Sequence, residues 1–464
     1  MSLRLRSDSR ARPAVGSPAV ADQTSGAAAD SPRAHTILSV FDTAFGELLA
    51  ADPAAFRVKF RKMAASAFAF YRGTASLFYA DLDAGAEGDR DPGPFLTEQT
   101  SRVWIHGDLH AENFGTYLDA NGRLIFNVND FDEAYVGPFT WDLKRFAASV
   151  ALIGYTKALA DEVISHLVTV YAAAYRERIG LLAKGEQVEP LTLDTARGPL
   201  LDALRSARLR TRVELLDSMT EVAGFDRRFS PGGGAIALDE ATREKVLAAF
   251  GAYLETLPQS YRVRPDSLRV KDVVGRRGIG IGSAGLPSYN LLLEGHTDAL
   301  ENDVVIYMKQ GQTPAVSRHV TDPAVRGYFR HEGHRTVISQ RALQAHADPW
   351  LGWTELDGTG QLVAEVSPYA VDLDWSDLDD PAQIEAVVAD LGRATATMHA
   401  AADDESGHSL VPFSTEAAID EAIGDDTDGF TKLLVDFAHG YGRRARADHQ
   451  LFVDLFRNGR IPGL

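Results

Sequence analysis

The chain contains no cysteine, which excludes disulfides, thiolate metal sites and a cysteine nucleophile, and fits a reducing cytoplasm. It also lacks any uninterrupted apolar stretch of the length a membrane helix needs, so no membrane partner is expected. Positive charge is in short supply: 47 Lys and Arg stand against 65 Asp and Glu, for a net charge of −18. Nucleic-acid binders hold phosphate backbones through clustered Lys and Arg, so no nucleic-acid partner is expected, although a local basic pocket for one nucleotide remains compatible with this balance. The first 35 residues lack the apolar core of a secretory signal, and their Arg, Ser, Ala and Pro content reads as a disordered leader.

What is present is the composition of a globular protein, 45% hydrophobic and 24% charged. A chain of 464 residues exceeds one ordinary core, so two lobes with a ligand cleft between them are expected. Apolar residues recur at helical spacing from Thr36 to Asp83 and again after Thr140. Between these stretches lie two short apolar runs, Val103-Trp104-Ile105 and Leu124-Ile125-Phe126, with the turn signal Asn121-Gly122 separating them, which implies a loop followed by a small hairpin. From about Val263 the chain turns Gly-rich and β-branched. Gly278 to Gly285, Tyr289 to Leu293 and Val304 to Lys309 read as three antiparallel strands. A helix is expected around Ala324 to Ala345, then a strand at Leu362 to Val366, then a helix from Pro381 to Ala401 with Asp380 as its N-cap.

The loop carries His106-Gly107-Asp108-Leu109-His110-Ala111-Glu112-Asn113, and the hairpin is followed by Asn129-Asp130-Phe131-Asp132. Asp108 and Asn113 have the spacing of a kinase catalytic loop, in which the Asp accepts a hydroxyl proton and the Asn binds metal. Asp130 supplies a second magnesium ligand in that scheme. The run containing Gly280, Gly282, Ser283 and Gly285 suits a backbone that approaches phosphates closely. Lys309, closing the strand Val304 to Met308, is placed to contact nucleotide phosphates. Tyr71-Arg72-Gly73 offers an arginine either to substrate and catalytic loop or to a structural ion pair. His106 and His110 flank Asp108 and are either structural or ligands of a transition metal.

The strings HGDLHAENF, NDFDEA and WDLKRFA resemble the catalytic loop, metal-binding segment and following helix of aminoglycoside phosphotransferases and related kinases. That resemblance implies Asp108 as base, Asn113 and Asp130 as magnesium ligands, and Asp142 as an anchor of the catalytic loop. The longer run KMAASAFAFYRGTA, HGDLHAENFGTY, NDFDEAYVGPFTWDLKRFAAS, GIGSAG and GHRTVISQRALQ resembles the bacterial domain of unknown function 2252 family, from about Phe56 onward. The Gly run with Lys309 is similar to a kinase nucleotide-binding lobe, and Pro381 to Ala401, with its Met398-His399-Ala400, resembles the helix that precedes a phosphotransferase catalytic loop. Here the catalytic loop comes first, so a circular permutation is implied, with the adenine hinge near Ala364 to Pro368. The lysine of such lobes pairs with a helix glutamate, for which Glu332 or Gln340 is the candidate.

The expectation is therefore an α+β, kinase-like two-lobed fold, circularly permuted, with a small antiparallel β lobe and a large helical lobe. Residues 36–262 form the helical catalytic lobe, 263–370 the nucleotide-binding lobe and 371–464 the helical return. The expected function is ATP- and Mg²⁺-dependent phosphoryl transfer to a hydroxyl of an unidentified small molecule or protein, in the cytoplasm. The alternatives are a nucleotide-binding module without turnover, AMP transfer to a protein, and metal-dependent hydrolysis through His106, Asp108 and His110.

Overall fold

The computed structural model describes residues 31–85, 93–257, 268–276, 286–402 and 409–464. Gly280, Gly282, Ser283 and Gly285 lie outside the described residues, as does most of the expected leader. The first helix, Pro32–Ala51, starts within that stretch. Pro32 suits a first-turn position and the Ser31 hydroxyl accepts from Ala34 N, so residues 32–35 are helical rather than leader. Asp52 caps the next helix, Pro53–Met63, in the same way.

The architecture is mixed α+β. The helices Asp161–Leu182 and Pro381–His399 pack along each other, and the long final helix Thr427–Arg457 lies across Phe139–Thr156. Asp380 accepts from Ala382 N at the start of Pro381–His399, and Ile384, Val387, Val388 and Leu391 face the core, as the helical spacing predicts. A second, smaller core is largely aromatic. In it the first two helices clamp onto the end of the final helix through Phe41, Phe60 and Phe452, with Phe60 and Phe452 rings 5.5 Å apart.

The β region is one six-stranded antiparallel sheet in which Gly352–Leu356, Thr359–Glu365, Val304–Gln310, Ser288–Leu293, Val270–Arg276 and Ala235–Ile236 lie side by side in that order. Side chains alternate across it. Ile306 and Met308 pack with Phe250 and Tyr253 of the helix Glu240–Leu254, so that Val305, Tyr307 and Lys309 face the opposite way. The helix expected over 324–345 is two helices, Pro323–Arg326 and Glu332–Leu343, because His331 takes an extended conformation and caps the second with its ring Nδ1 accepting from His334 N. Among the described residues no helix is long and apolar enough to cross a membrane.

Candidate active site

The loop His106 to Asn113 lies between the strand Val103–Ile105 and the hairpin Phe114–Leu118 and Leu124–Val128, whose register carries Asn121-Gly122 at its turn. Two successive amides of the loop, His106 N and Gly107 N, donate to the two carboxylate oxygens of the fully buried Asp142, at 2.6 and 2.9 Å. His399 Nε2 donates to the same carboxylate at 3.2 Å, while Tyr175 OH donates to His399 Nδ1 at 2.8 Å. A helix from late in the chain therefore braces the loop through its last turn. Gly107 has φ +78°, and a Cβ there would lie 2.1 Å from Glu133 O, so the turn admits only glycine.

Asp108 leaves this turn toward the fully buried Arg145, whose Nε donates to Asp108 Oδ1 at 2.5 Å. Arg145 is itself locked: its guanidinium lies 4.3 Å from the Tyr71 ring centre, its NH2 donates to Tyr71 O, and Tyr71 OH donates to Arg145 O. Burial raises the Asp108 carboxyl above its ordinary pKa, and Arg145 and His106 pull against that rise. Asn113 Nδ2 donates to Asp108 O at 2.9 Å, which leaves the amide oxygen of Asn113 available to a cation.

Asp130 sits at φ +56°, left-handed, directly after Asn129, whose amide donates to Asn113 O at 3.1 Å. This contact ties the second acidic segment to the loop of Asp108 and Asn113. Asp130 is exposed on the cavity wall, yet the protein crowded around it, with repulsion from Asp132 and Asp108, pushes its carboxyl up to about 6 against the pull of Lys309. Lys309 Nζ reaches across from the sheet to form an ion pair with Asp132, 177 residues away in sequence.

Neither expected partner reaches Lys309. Glu332 accepts from Arg335 Nε at 2.8 Å, and Gln340 donates to Gln344. Arg335 explains the diversion, since its remaining nitrogens donate to Asp132 O, Ala134 O and Gln312 O, each at 2.8 Å. It thereby fastens the helix Glu332–Leu343 to the acidic segment and takes the glutamate as its own counterion.

Arg72 lines the cavity and forms an ion pair with Glu112 of the HGDLHAEN loop, so the contact with that loop and the ion pair are one and the same. His106 Nε2 donates to Asn129 O at 2.7 Å and its Nδ1 accepts from Asp108 N, so both ring nitrogens are engaged. No group of three or more His, Cys, Asp or Glu among the described residues is arranged to hold a metal ion.

The acids open onto a cavity of about 430 Å³ lined by Lys59, Arg72, Asp108, Asp130, Asp132 and Glu133, among others. Three features of the site were not legible in the motifs. Arg145 stands inside the WDLKRFA run, where helical spacing shows only a mid-helix cation. Glu133 follows the acidic pair and accepts from Ala315 N at 2.5 Å. Lys59 has no sequence signal that separates it from the neighbouring Arg57, Arg61 and Lys62.

Burial and the nearby Asp108 push the Glu133 carboxyl up to about 7. Unfolded chains ionise such a group near 4, so between about pH 4 and 7 the folded state holds the extra proton and stability falls as pH rises. Glu133→Gln is accordingly expected to raise the thermal midpoint relative to wild type at pH 8 and to leave it unchanged or lower at pH 5, measured by scanning calorimetry of the ligand-free protein.

A family model described as "uncharacterized protein conserved in bacteria (DUF2252)" matches residues 51–455. No curated protein and no solved structure matches the chain.

Proposed function

From the premise that the chain belongs to this bacterial domain of unknown function 2252 family, we propose that it is an ATP- and Mg²⁺-dependent phosphotransferase acting on a hydroxyl, built as a circularly permuted kinase-like fold. The observation that carries this reading is a single convergence. Lys309, at the end of a sheet strand, meets the segment of Asp130 and Asp132, and that segment is hydrogen-bonded to the loop of Asp108 and Asn113. A cation, three acids and an amide oxygen brought together from three stretches of the chain are the parts phosphoryl transfer needs.

The donor set suits magnesium. Asp130, Asp132 and the free oxygen of Asn113 are hard ligands, and magnesium is commonly held by one or two carboxylates with substrate phosphates completing its shell. A protein cage of three acids is not required, which agrees with the absence of one among the described residues. When bound, the ion neutralises charge on the transferring phosphoryl group. The chain's own contributions are separate. Asp108, raised in basicity by burial, accepts the acceptor hydroxyl's proton as that oxygen displaces ADP from the terminal phosphoryl group. Arg145 holds the Asp108 carboxylate in one orientation. Lys309, released from Asp132, steadies the nucleotide phosphates. Asp142 and His399 fix the backbone of the loop, and the role of His399 supports the permuted order, because its helix follows the sheet in sequence but braces the catalytic loop in space.

A second reading, a nucleotide-binding module without turnover, draws on the engagement of Glu332 by Arg335 rather than Lys309. Calorimetry separates the readings from the absence of any site. Wild type is expected to bind MgATP, and both Lys309→Ala and Asp130→Ala are expected to weaken it by about tenfold or more, the loss of one charge-assisted contact. Failure of wild type to bind MgATP overturns both readings, while binding without turnover on any hydroxyl acceptor favours the second.

A further inference from the structure

Lys59 projects from the helix Pro53–Met63 and lines the cavity. It is only 4% exposed. Among the described residues its ammonium has neither a carboxylate within ion-pair distance nor a hydrogen-bond acceptor; its close neighbours are the rings of Phe45, with a centre 4.1 Å away, and Phe56, at 5.6 Å. Burial lowers its pKa to about 8, with Glu133 and Asp108 opposing the shift. Aromatic faces partly offset the loss of water around a cation, but they leave its three N–H donors without acceptors. A buried, unpaired charge is disfavoured unless something brings it a counterion.

The acids nearby do not play that part. Asp108 is engaged by Arg145, and Glu133 accepts from Ala315 N and Gln312 Nε2. The cavity's other cations are already engaged too, Arg72 by Glu112 and Arg318 by Thr43 O at 2.9 Å. Arg72 Nε is also left without an acceptor, but of these three cavity cations Lys59 is the one whose charged group has no ion-pair or hydrogen-bond partner among the described residues.

Its position separates it from the nucleotide side. Lys309 enters from the sheet and pairs with Asp132 of the metal-binding segment, whereas Lys59 comes from the helix Pro53–Met63 against Phe45 and Phe56, where Glu133 and the base Asp108 are the acids whose charge it feels. A group beside the base addresses the molecule that gives up the proton. Resting on the phosphotransferase reading above, we infer that Lys59 anchors an anionic group, a carboxylate or phosphate, on a small hydroxyl-bearing acceptor whose hydroxyl is presented to Asp108. A volume of about 430 Å³ accommodates a small metabolite of this kind. Of the cavity's remaining acids, Asp132 is paired with Lys309 and Asp130 belongs to the magnesium side, while Asp42 and Glu47 line the wall near Phe45 without forming an ion pair with Lys59.

The test uses the full chain saturated with MgADP, titrated calorimetrically with glycerate, glycerol 3-phosphate, glycerol and choline. Glycerate or glycerol 3-phosphate is expected to bind about tenfold or more tightly than glycerol and choline, and whichever anion binds better identifies carboxylate or phosphate as the group recognised. Lys59→Met is expected to abolish that preference while changing MgADP affinity less than about twofold, and Lys59→Arg to retain most of it. Because Lys59→Met removes an unpaired buried charge, its ligand-free thermal midpoint should equal or exceed that of wild type, which shows that lost binding is not lost folding. Equal or tighter binding of choline or glycerol, or no binding of either anion by MgADP-loaded wild type, overturns the inference. A parallel loss of MgADP affinity in Lys59→Met also overturns it, by making Lys59 a nucleotide contact. Failure of wild type to bind MgADP marks instead the failure of the phosphotransferase reading itself.

Discussion

Asp108→Asn is expected to lower kcat for phosphoryl transfer by about 10²–10⁴-fold, the range for removal of a general base, with MgATP affinity retained. The retention rests on the contacts that the substitution leaves in place. An asparagine keeps an oxygen for Arg145 Nε, and the Asn113 side chain bonds the backbone carbonyl of residue 108, which the change does not touch. Only the proton-accepting capacity goes. Steady-state kinetics with the acceptor identified by the glycerate and glycerol 3-phosphate titrations, alongside calorimetry with MgATP, checks both halves. An unchanged kcat would remove Asp108 from the role of base, and a parallel loss of MgATP binding would show that its carboxylate serves the nucleotide instead.

Asp142→Ala is expected to have the largest effect on stability. Its carboxylate accepts from His106 N, Gly107 N and His399 Nε2 in a fully buried setting. Alanine strands these donors at roughly 1–3 kcal/mol for each unsatisfied group, for a total of about 3–5 kcal/mol once partial relaxation is allowed. The chemical-denaturation midpoint should fall accordingly, and nucleotide binding should weaken even under conditions where the variant is folded, because the loop bearing Asp108 and Asn113 loses the two amide anchors that set its turn. His399→Ala removes only one of the three donors and should cost less. If the two variants proved equally destabilised, the anchoring would belong to the helix Pro381–His399 rather than to the carboxylate.

Much of the fold was legible where geometry depends on short offsets. The N-cap Asp380 before Pro381, the turn at Asn121-Gly122 and the central strands at Tyr289 to Leu293 and Val304 to Lys309 all appear in the structure as read. The strand at Leu362 to Val366 was located but shifted, since it runs Thr359–Glu365. The helix over 324–345 was placed correctly in its second half and missed its interruption, because nothing in the pattern announces that His331 will turn extended and cap the helix beginning at Glu332.

The site divides along the same line. That Asp108, Asn113 and Asp130 belong to one centre could be argued from their spacing and order, and the bracing of the loop by Asp142 was expected from the resemblance of its segment. The partner of Lys309 could not be argued in this way. Glu332 was available in sequence, yet Arg335, three residues on, takes it, and Lys309 goes to Asp132. Arg145 and Lys59 were equally hidden, as cations among other cations on helices.

The sequence by itself determined the local elements and the order of the acidic segments, because hydrogen-bonded turns, caps and helical faces are set by residues within a few positions of one another. Only the tertiary structure decided which cation meets which acid. Such pairings join residues dozens to hundreds of positions apart, and each depends on how every intervening helix packs and which competing donor arrives first in space. Lys59 is the clearest case, since its charge is written in the sequence but its lack of a partner among the described residues is a property of the folded chain.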